Sequence, residues 1–116
     1  DAAMNDLIRP SLYDAWHDIR AVVPRGGRFT ATIVGPVCES GDTFATARAI
    51  DRVAPGDPVA LMTSGAYGAT MAGTYNSRPL VAEVLVDGAR WAVVRERQTI
   101  EALIAGDSLP PWFGEE

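Results

Sequence analysis

One thiol and one carboxylate stand side by side in the stretch Gly35-Pro36-Val37-Cys38-Glu39-Ser40-Gly41-Asp42, which holds the only cysteine of the chain. A thiol can donate a proton, and a carboxylate beside it can hold an ammonium group. By residue type alone, Cys38 reads either as a small buried apolar side chain or as a thiol presented in a turn. Glu39 reads either as an exposed loop acid or as a seat for a cation. Arg9, in an Arg-Pro step with Tyr13 four residues on, offers a planar fork that can hold a carboxylate bidentately, or is a surface arginine. Tyr67 lies between Gly65 and Gly68. Free backbone N–H groups there could cradle a phosphate, with the phenol adding a hydrogen bond; the other reading is a core aromatic. That glycine spacing matches neither a P-loop nor a dinucleotide fingerprint. His17 is the only histidine and has no ligating partners at short spacing, so no metal site is expected and it reads as a packing or surface residue.

The elements that must hold these residues are mostly short strands. Asn5 and Asp6 can cap a helical turn, and Pro10 biases Arg9 towards an extended conformation. The segment 14–23 leads into a strand, and Pro24-Arg25-Gly26-Gly27 is a turn. Residues 28–37 alternate, with Phe29, Ala31 and Ile33 on one face. Gly35 and Pro36 end that run, and Gly41 lets the chain turn again. Residues 43–53 are either a strand or irregular. Ala54–Pro58 is a turn and Val59–Met62 a short strand. The run Gly65–Gly73 is dense in small residues, which allows close backbone approach to another surface. Residues 75–79 form a polar turn. Leu80–Val86 and Trp91–Arg97 read as a hairpin through Asp87-Gly88. Thr99 can cap a helix over residues 100–105, ended by Gly106, before an extended tail at Leu109–Phe113. The expected fold is one mainly β domain over residues 1–116, a distorted barrel or sandwich of six or seven strands with one or two short helices.

Bulk properties bound the function. The chain has 116 residues, 47% of them hydrophobic and 22% charged, which fits one globular domain. The net charge of −5 argues against a nucleic-acid partner, because phosphate binding needs a basic face. No stretch approaches the ~20 apolar residues of a membrane span, and no signal peptide is visible. A lone cysteine fits a reducing, cytoplasmic setting. All ten basic residues are arginine, so chemistry that needs a lysine amine cannot be done by this chain alone. The start at Asp1, without an initiator Met, suggests a processed or excised piece.

Several of these segments fall in an order shared with a known family. Asp6-Leu7-Ile8-Arg9-Pro10-Ser11-Leu12-Tyr13-Asp14-Ala15, the Gly35–Asp42 stretch, Met62-Thr63-Ser64-Gly65-Ala66-Tyr67-Gly68, Tyr75-Asn76-Ser77-Arg78-Pro79 and the ending Asp107–Trp112 closely resemble the C-terminal β domain of the diaminopimelate decarboxylases. These belong with the ornithine and arginine decarboxylases, alanine-racemase-like enzymes that join a pyridoxal-phosphate barrel to a β domain. The resemblance spans essentially the whole chain.

It implies that an N-terminal (β/α) barrel, absent here, carries the lysine that binds pyridoxal 5'-phosphate, and that a homodimer forms shared sites. It implies Cys38 as the acid that reprotonates the substrate carbon after carbon dioxide leaves. Glu39 would meet the distal ammonium of meso-diaminopimelate, Arg9 and Tyr13 its distal carboxylate, and Tyr67 both the cofactor phosphate and the substrate. The implied product is L-lysine, and the domain alone would be inactive. The alternatives are a domain of an ornithine- or arginine-type decarboxylase, or a non-catalytic regulatory β module. The Arg-Pro step before Leu-Tyr separates this sequence from the ornithine enzymes.

Overall fold

The computed structural model describes residues 1–114. After a turn at Met4–Asp6, the chain forms α1 (Arg9–Tyr13) and then the strands β1 (Ile19–Ala21), β2 (Arg28–Val34), β3 (Thr43–Asp51) and β4 (Val59–Leu61). A kinked α2 (Gly65–Met71) and a 3-10 turn (Tyr75–Ser77) lead to β5 (Glu83–Asp87), β6 (Arg90–Arg95) and α3 (Ile100–Ile104). The mainly β expectation holds, with more short helices than the one or two expected. These helices have five to seven residues each, too short to print a 3.6-residue period on the sequence.

The strands pair as three antiparallel two-stranded ribbons, β1–β4, β2–β3 and β5–β6. Among the described residues they close into no barrel. Closing a barrel requires each edge strand to find a second neighbour, and here every strand has only one. The shape follows: the extents are 65 × 37 × 28 Å and the radius of gyration is 17.8 Å, against about 13 Å for a compact chain of this length.

The core is small. Leu7, Ile19, Phe44, Ala45 and Ile50 cluster, with Ala31, Ile33 and Leu61 packed against them. Ala31 and Ile33 alternate inward along β2 as the pattern requires, whereas Phe29 at the start of that strand is left exposed. The strand alternative for residues 43–53 is the one realised, and β3 is the longest strand described. Ala31 pairs with Arg48 and Ile33 with Ala45, so β3 carries an extra residue there. Ala47 takes a left-handed φ of 47° at this bulge, and its N–H donates to the Thr32 hydroxyl at 3.4 Å.

Three local expectations are corrected. Arg9 is the first residue of α1 rather than extended, because Pro10 falls in the first turn, where the missing N–H has no intrahelical partner to lose. The β5–β6 loop is Gly88-Ala89, one residue later than expected: Asp87 pairs with Arg90 and Gly88 takes φ 60° at the first loop position. The tail is extended only to Pro110 and then turns, with the Phe113 N–H bonded to the Pro110 carbonyl at 2.9 Å. Thr99 caps α3 as expected, its hydroxyl accepting from the Ala102 N–H at 3.1 Å.

Candidate functional site

The Cys38-Glu39 turn joins β2 to β3 and stands outside the core. Its flanks, Val37 and Asp42, are buried, while Cys38, Glu39 and Ser40 are exposed and the thiol is free. The turn is tied internally: the Glu39 N–H donates to the Val37 carbonyl at 2.8 Å and the Asp42 N–H to the Glu39 carbonyl at 3.0 Å. Of the two readings of Cys38 from residue type, the buried apolar side chain is therefore excluded.

Glu39 is held by its own turn. Its Oε1 accepts from the Gly41 N–H at 3.1 Å and from the Ser40 hydroxyl at 3.3 Å, and Oε2 accepts from the Tyr75 hydroxyl at 3.4 Å. The Gly41 N–H first, then the Ser40 hydroxyl and more weakly the Tyr75 phenol, hold this carboxyl below its ordinary value. It is therefore an anion at neutral pH. Tyr75 is a residue that sequence reasoning missed. It lies 36 positions from Glu39, and although it opens the Tyr75–Pro79 segment of the family resemblance, sequence reasoning assigned it no role.

Arg9 and Tyr13 form a pair on α1. The Arg9 Nε donates to the Tyr13 hydroxyl at 2.6 Å, and the guanidinium carbon lies 5.6 Å from the Tyr13 ring centre. A spacing of four residues brings them together on one helical face. Among the described residues no carboxylate pairs with Arg9, so its terminal guanidinium nitrogens remain available to an incoming anion. The Tyr13 hydroxyl also lies 3.9 Å from the Met71 Sδ at the end of α2.

Tyr67 sits at the kink of α2 with φ 64°, and its side chain is exposed. A left-handed tyrosine is uncommon, because its Cβ crowds the following carbonyl. Next to it, Gly68 is buried, and a Cβ there would lie 3.6 Å from the Leu7 methyl. That is an ordinary contact, and a Cβ on Gly65 or Gly73 would meet nothing within 4 Å, so among the described residues the close approach expected of this run is not made. Among the described residues Tyr67 shares no hydrogen bond with Arg9, Tyr13, Cys38 or Glu39.

The segment after α2 links the two parts. The Gly73 N–H donates to the Asn5 carbonyl at 2.9 Å, the Asn5 amide donates back to the Gly73 carbonyl at 3.3 Å, and the Arg78 Nε donates to the Asn5 Oδ1 at 2.9 Å. Met71, the last residue of α2, meets Tyr13, and Tyr75 in the segment that follows meets Glu39. The Arg9–Tyr13 pair and the Cys38-Glu39 turn are thus joined through one stretch. His17 is a packing residue, 4% exposed. Its Nδ1 lies 3.0 Å from the Met62 carbonyl, which can only accept, so Nδ1 carries the proton. Among the described residues no group of His, Cys, Asp and Glu side chains could hold a metal ion, and no helix is long and apolar enough to cross a membrane.

An outward-facing thiol-acid turn on a mostly sheet module defines a class, and residues 1–65 match the family described as pyridoxal-dependent decarboxylase, C-terminal sheet domain. The chain belongs to that family. It is 56% identical over 113 residues to the diaminopimelate decarboxylase of Zymomonas mobilis, and 43% identical over 115 residues to that of Archaeoglobus fulgidus. These matches cover 97% of this chain and 27% of each relative, so the chain spans about a quarter of their length. Its fold is similar to the crystal structure of the M. jannaschii diaminopimelate decarboxylase in complex with L-lysine. There the TM-score is 0.91 and the identity 40%, covering 96% of this chain and 26% of the other. The Helicobacter pylori diaminopimelate decarboxylase complexed with L-lysine is also similar, at TM-score 0.84 and 44% identity over 90% of this chain and 26% of that one.

Proposed function

We propose that this chain is the C-terminal β domain of a cytoplasmic diaminopimelate decarboxylase, which converts meso-2,6-diaminopimelate to L-lysine and carbon dioxide in lysine biosynthesis. In this reading a (β/α) barrel elsewhere in the same polypeptide carries the cofactor, and the domain lends side chains to a site shared across a homodimer. The observation that carries it is the outward presentation of Cys38 and Glu39 between the buried flanks Val37 and Asp42. A thiol and an anion anchored in this way and turned from their own core are placed to meet a ligand held by another body.

Pyridoxal phosphate, when bound, supplies the electron sink that lets the substrate carboxyl group leave as carbon dioxide. The chain has no lysine, so the amine that holds the cofactor belongs to the barrel. What this chain could offer the cofactor fits a phosphate: the Tyr67 phenol is exposed on a kink that sets it clear of its own helix.

The thiol of Cys38 gives its proton to the α-carbon after carbon dioxide has left. The Glu39 carboxylate receives the distal ammonium of the substrate, and its own turn keeps it ionised for that purpose. The distal carboxylate takes the Arg9 fork. Tyr13 accepts from the Arg9 Nε and so orients the remaining guanidinium nitrogens. Diaminopimelate carries a distal carboxylate that ornithine lacks, and the Arg9 cation selects for it, whereas Glu39 meets an ammonium that both substrates carry.

The exposed apolar side chains support a covered assembly. Trp91, Leu109, Trp112 and Phe113 are each 69–73% exposed, and Val84, Leu85 and Val86 of β5 stand open as well. Such a surface marks contact with another body, here the barrel and the second subunit.

Assay of the full-length protein on meso-diaminopimelate and on ornithine tests the reading. Release of lysine and carbon dioxide from the first substrate alone is expected. Turnover of ornithine without turnover of diaminopimelate would overturn it.

A further inference from the structure

Asp42 is a carboxylate that is 2% exposed and has no cationic partner among the described residues. Burying such a group is costly unless its hydrogen bonds are made. They are made to main chain: Oδ1 accepts from the Met4 N–H at 2.7 Å and Oδ2 from the Val37 N–H at 2.7 Å. Both are at the short end of the ordinary range for an N–H donor. The main chain of the same residue closes the neck of the turn, because the Asp42 carbonyl accepts from the Gly35 N–H at 2.9 Å.

Gly35 completes the arrangement. A Cβ built on it would run into the Asp42 carboxylate, while its φ lies outside the left-handed region. Glycine is required here by the carboxylate and not by the backbone. Asparagine could not replace Asp42: it offers one oxygen for two N–H donors, and its amide would face the other donor. The Met4 bond reaches across 38 positions. From Met4 the chain runs through the buried Leu7 directly into α1, which carries Arg9 and Tyr13.

We propose that Asp42 is a positioning residue: its buried carboxylate locks the Cys38-Glu39 turn to the N-terminal arm that leads to Arg9 and Tyr13, and Gly35 is kept bare to admit it. The proposal rests on the decarboxylase reading for its link to turnover, but its geometry does not depend on that reading.

The test uses the full-length protein with Asp42→Asn and Gly35→Ala, each alone and in a Cys38→Ala background. Each single change should lower kcat per folded molecule by about tenfold or more and speed hydrogen exchange at the Val37 and Met4 amides. In the Cys38→Ala background each should lower kcat by less than it does alone, because part of its effect runs through the thiol it positions. A residue serving stability alone would leave kcat per folded molecule unchanged, or add its full effect to that of Cys38→Ala; either result overturns the proposal. If Asp42→Asn does not fold, Gly35→Ala decides by the same criteria. If the unmodified protein fails to turn over diaminopimelate, the decarboxylase reading fails. Asp42 is then judged by exchange and by Cys38 alkylation: unchanged rates in both variants overturn the lock, and altered rates support it.

Discussion

Replacing Glu39 with glutamine removes a charge and little else. Glutamine keeps an oxygen for the Gly41 N–H at 3.1 Å and the Ser40 hydroxyl at 3.3 Å, so the turn should hold its shape. Only the Tyr75 hydroxyl, 3.4 Å from the second oxygen, must reorient. Leaving a bound ammonium without its anion costs about 2–5 kcal/mol once water is excluded. At ~1.4 kcal/mol per tenfold, kcat/KM for meso-diaminopimelate in the full-length protein should fall roughly 30- to 4,000-fold. Because its neighbours hold the Glu39 carboxyl below its ordinary value, the group is ionised throughout the neutral range. The loss should therefore be the same at pH 6 and pH 8. Tyr75→Phe is the control: it deletes one neutral donor, a change of about 0.5–1.5 kcal/mol, or a few-fold. A kcat/KM for Glu39→Gln within about threefold of the unmodified protein would refute the assignment of Glu39 to the ammonium.

Other consequences can be checked in the same protein. Cys38→Ala should lower kcat by about 10²- to 10⁴-fold, the usual worth of a positioned acid, with a much smaller change in KM, read by steady-state kinetics. Arg9→Ala should raise KM for diaminopimelate steeply, and Tyr13→Phe only a few-fold, because Tyr13 orients the fork through the 2.6 Å bond from Arg9 Nε. The Arg25 guanidinium, then the Ala54 N–H, lower the Asp57 carboxyl from 3.8 to about 2. A carboxyl lowered on folding stabilises the fold above its ordinary value. That contribution should be lost between about pH 4 and pH 2, seen as a fall in the protection of the Ala54 amide relative to its intrinsic exchange rate, and Asp57→Asn should flatten the dependence.

What the sequence disclosed and what it hid divide along physical lines. The β5–β6 hairpin, the Thr99 cap and the turn after β2 were legible because their signals lie within a few residues: a glycine at a tight turn, a hydroxyl three positions before the N–H it caps, a Gly-Pro stop. Arg9 and Tyr13 were each singled out, but their contact was not: the sequence suggested an extended Arg9, and only the helix the chain makes brings residues four apart together. Asp42 and Tyr75 were not singled out, because their partners lie 38 and 36 positions away and no local pattern encodes them. Nor did alternation along the strands reveal that they pair as separate ribbons with open edges. Periodicity reports which face of a strand is apolar and says nothing about the neighbour that covers it. The left-handed φ of Tyr67 is hidden for a related reason: flanking glycines permit such a kink without requiring it.

The central claim is that the Cys38-Glu39 turn serves a site built by another subunit, and complementation between inactive variants tests it most directly. Full-length Cys38→Ala protein is mixed with a full-length variant lacking the cofactor-binding lysine of the barrel, and subunits are allowed to exchange. A two-fold dimer with shared sites places one intact site in each mixed dimer, so activity should recover to about a quarter of the unmodified level at equal mixing. Mixtures that exchange subunits yet stay as inactive as either parent would contradict the claim, because the thiol would then serve its own barrel.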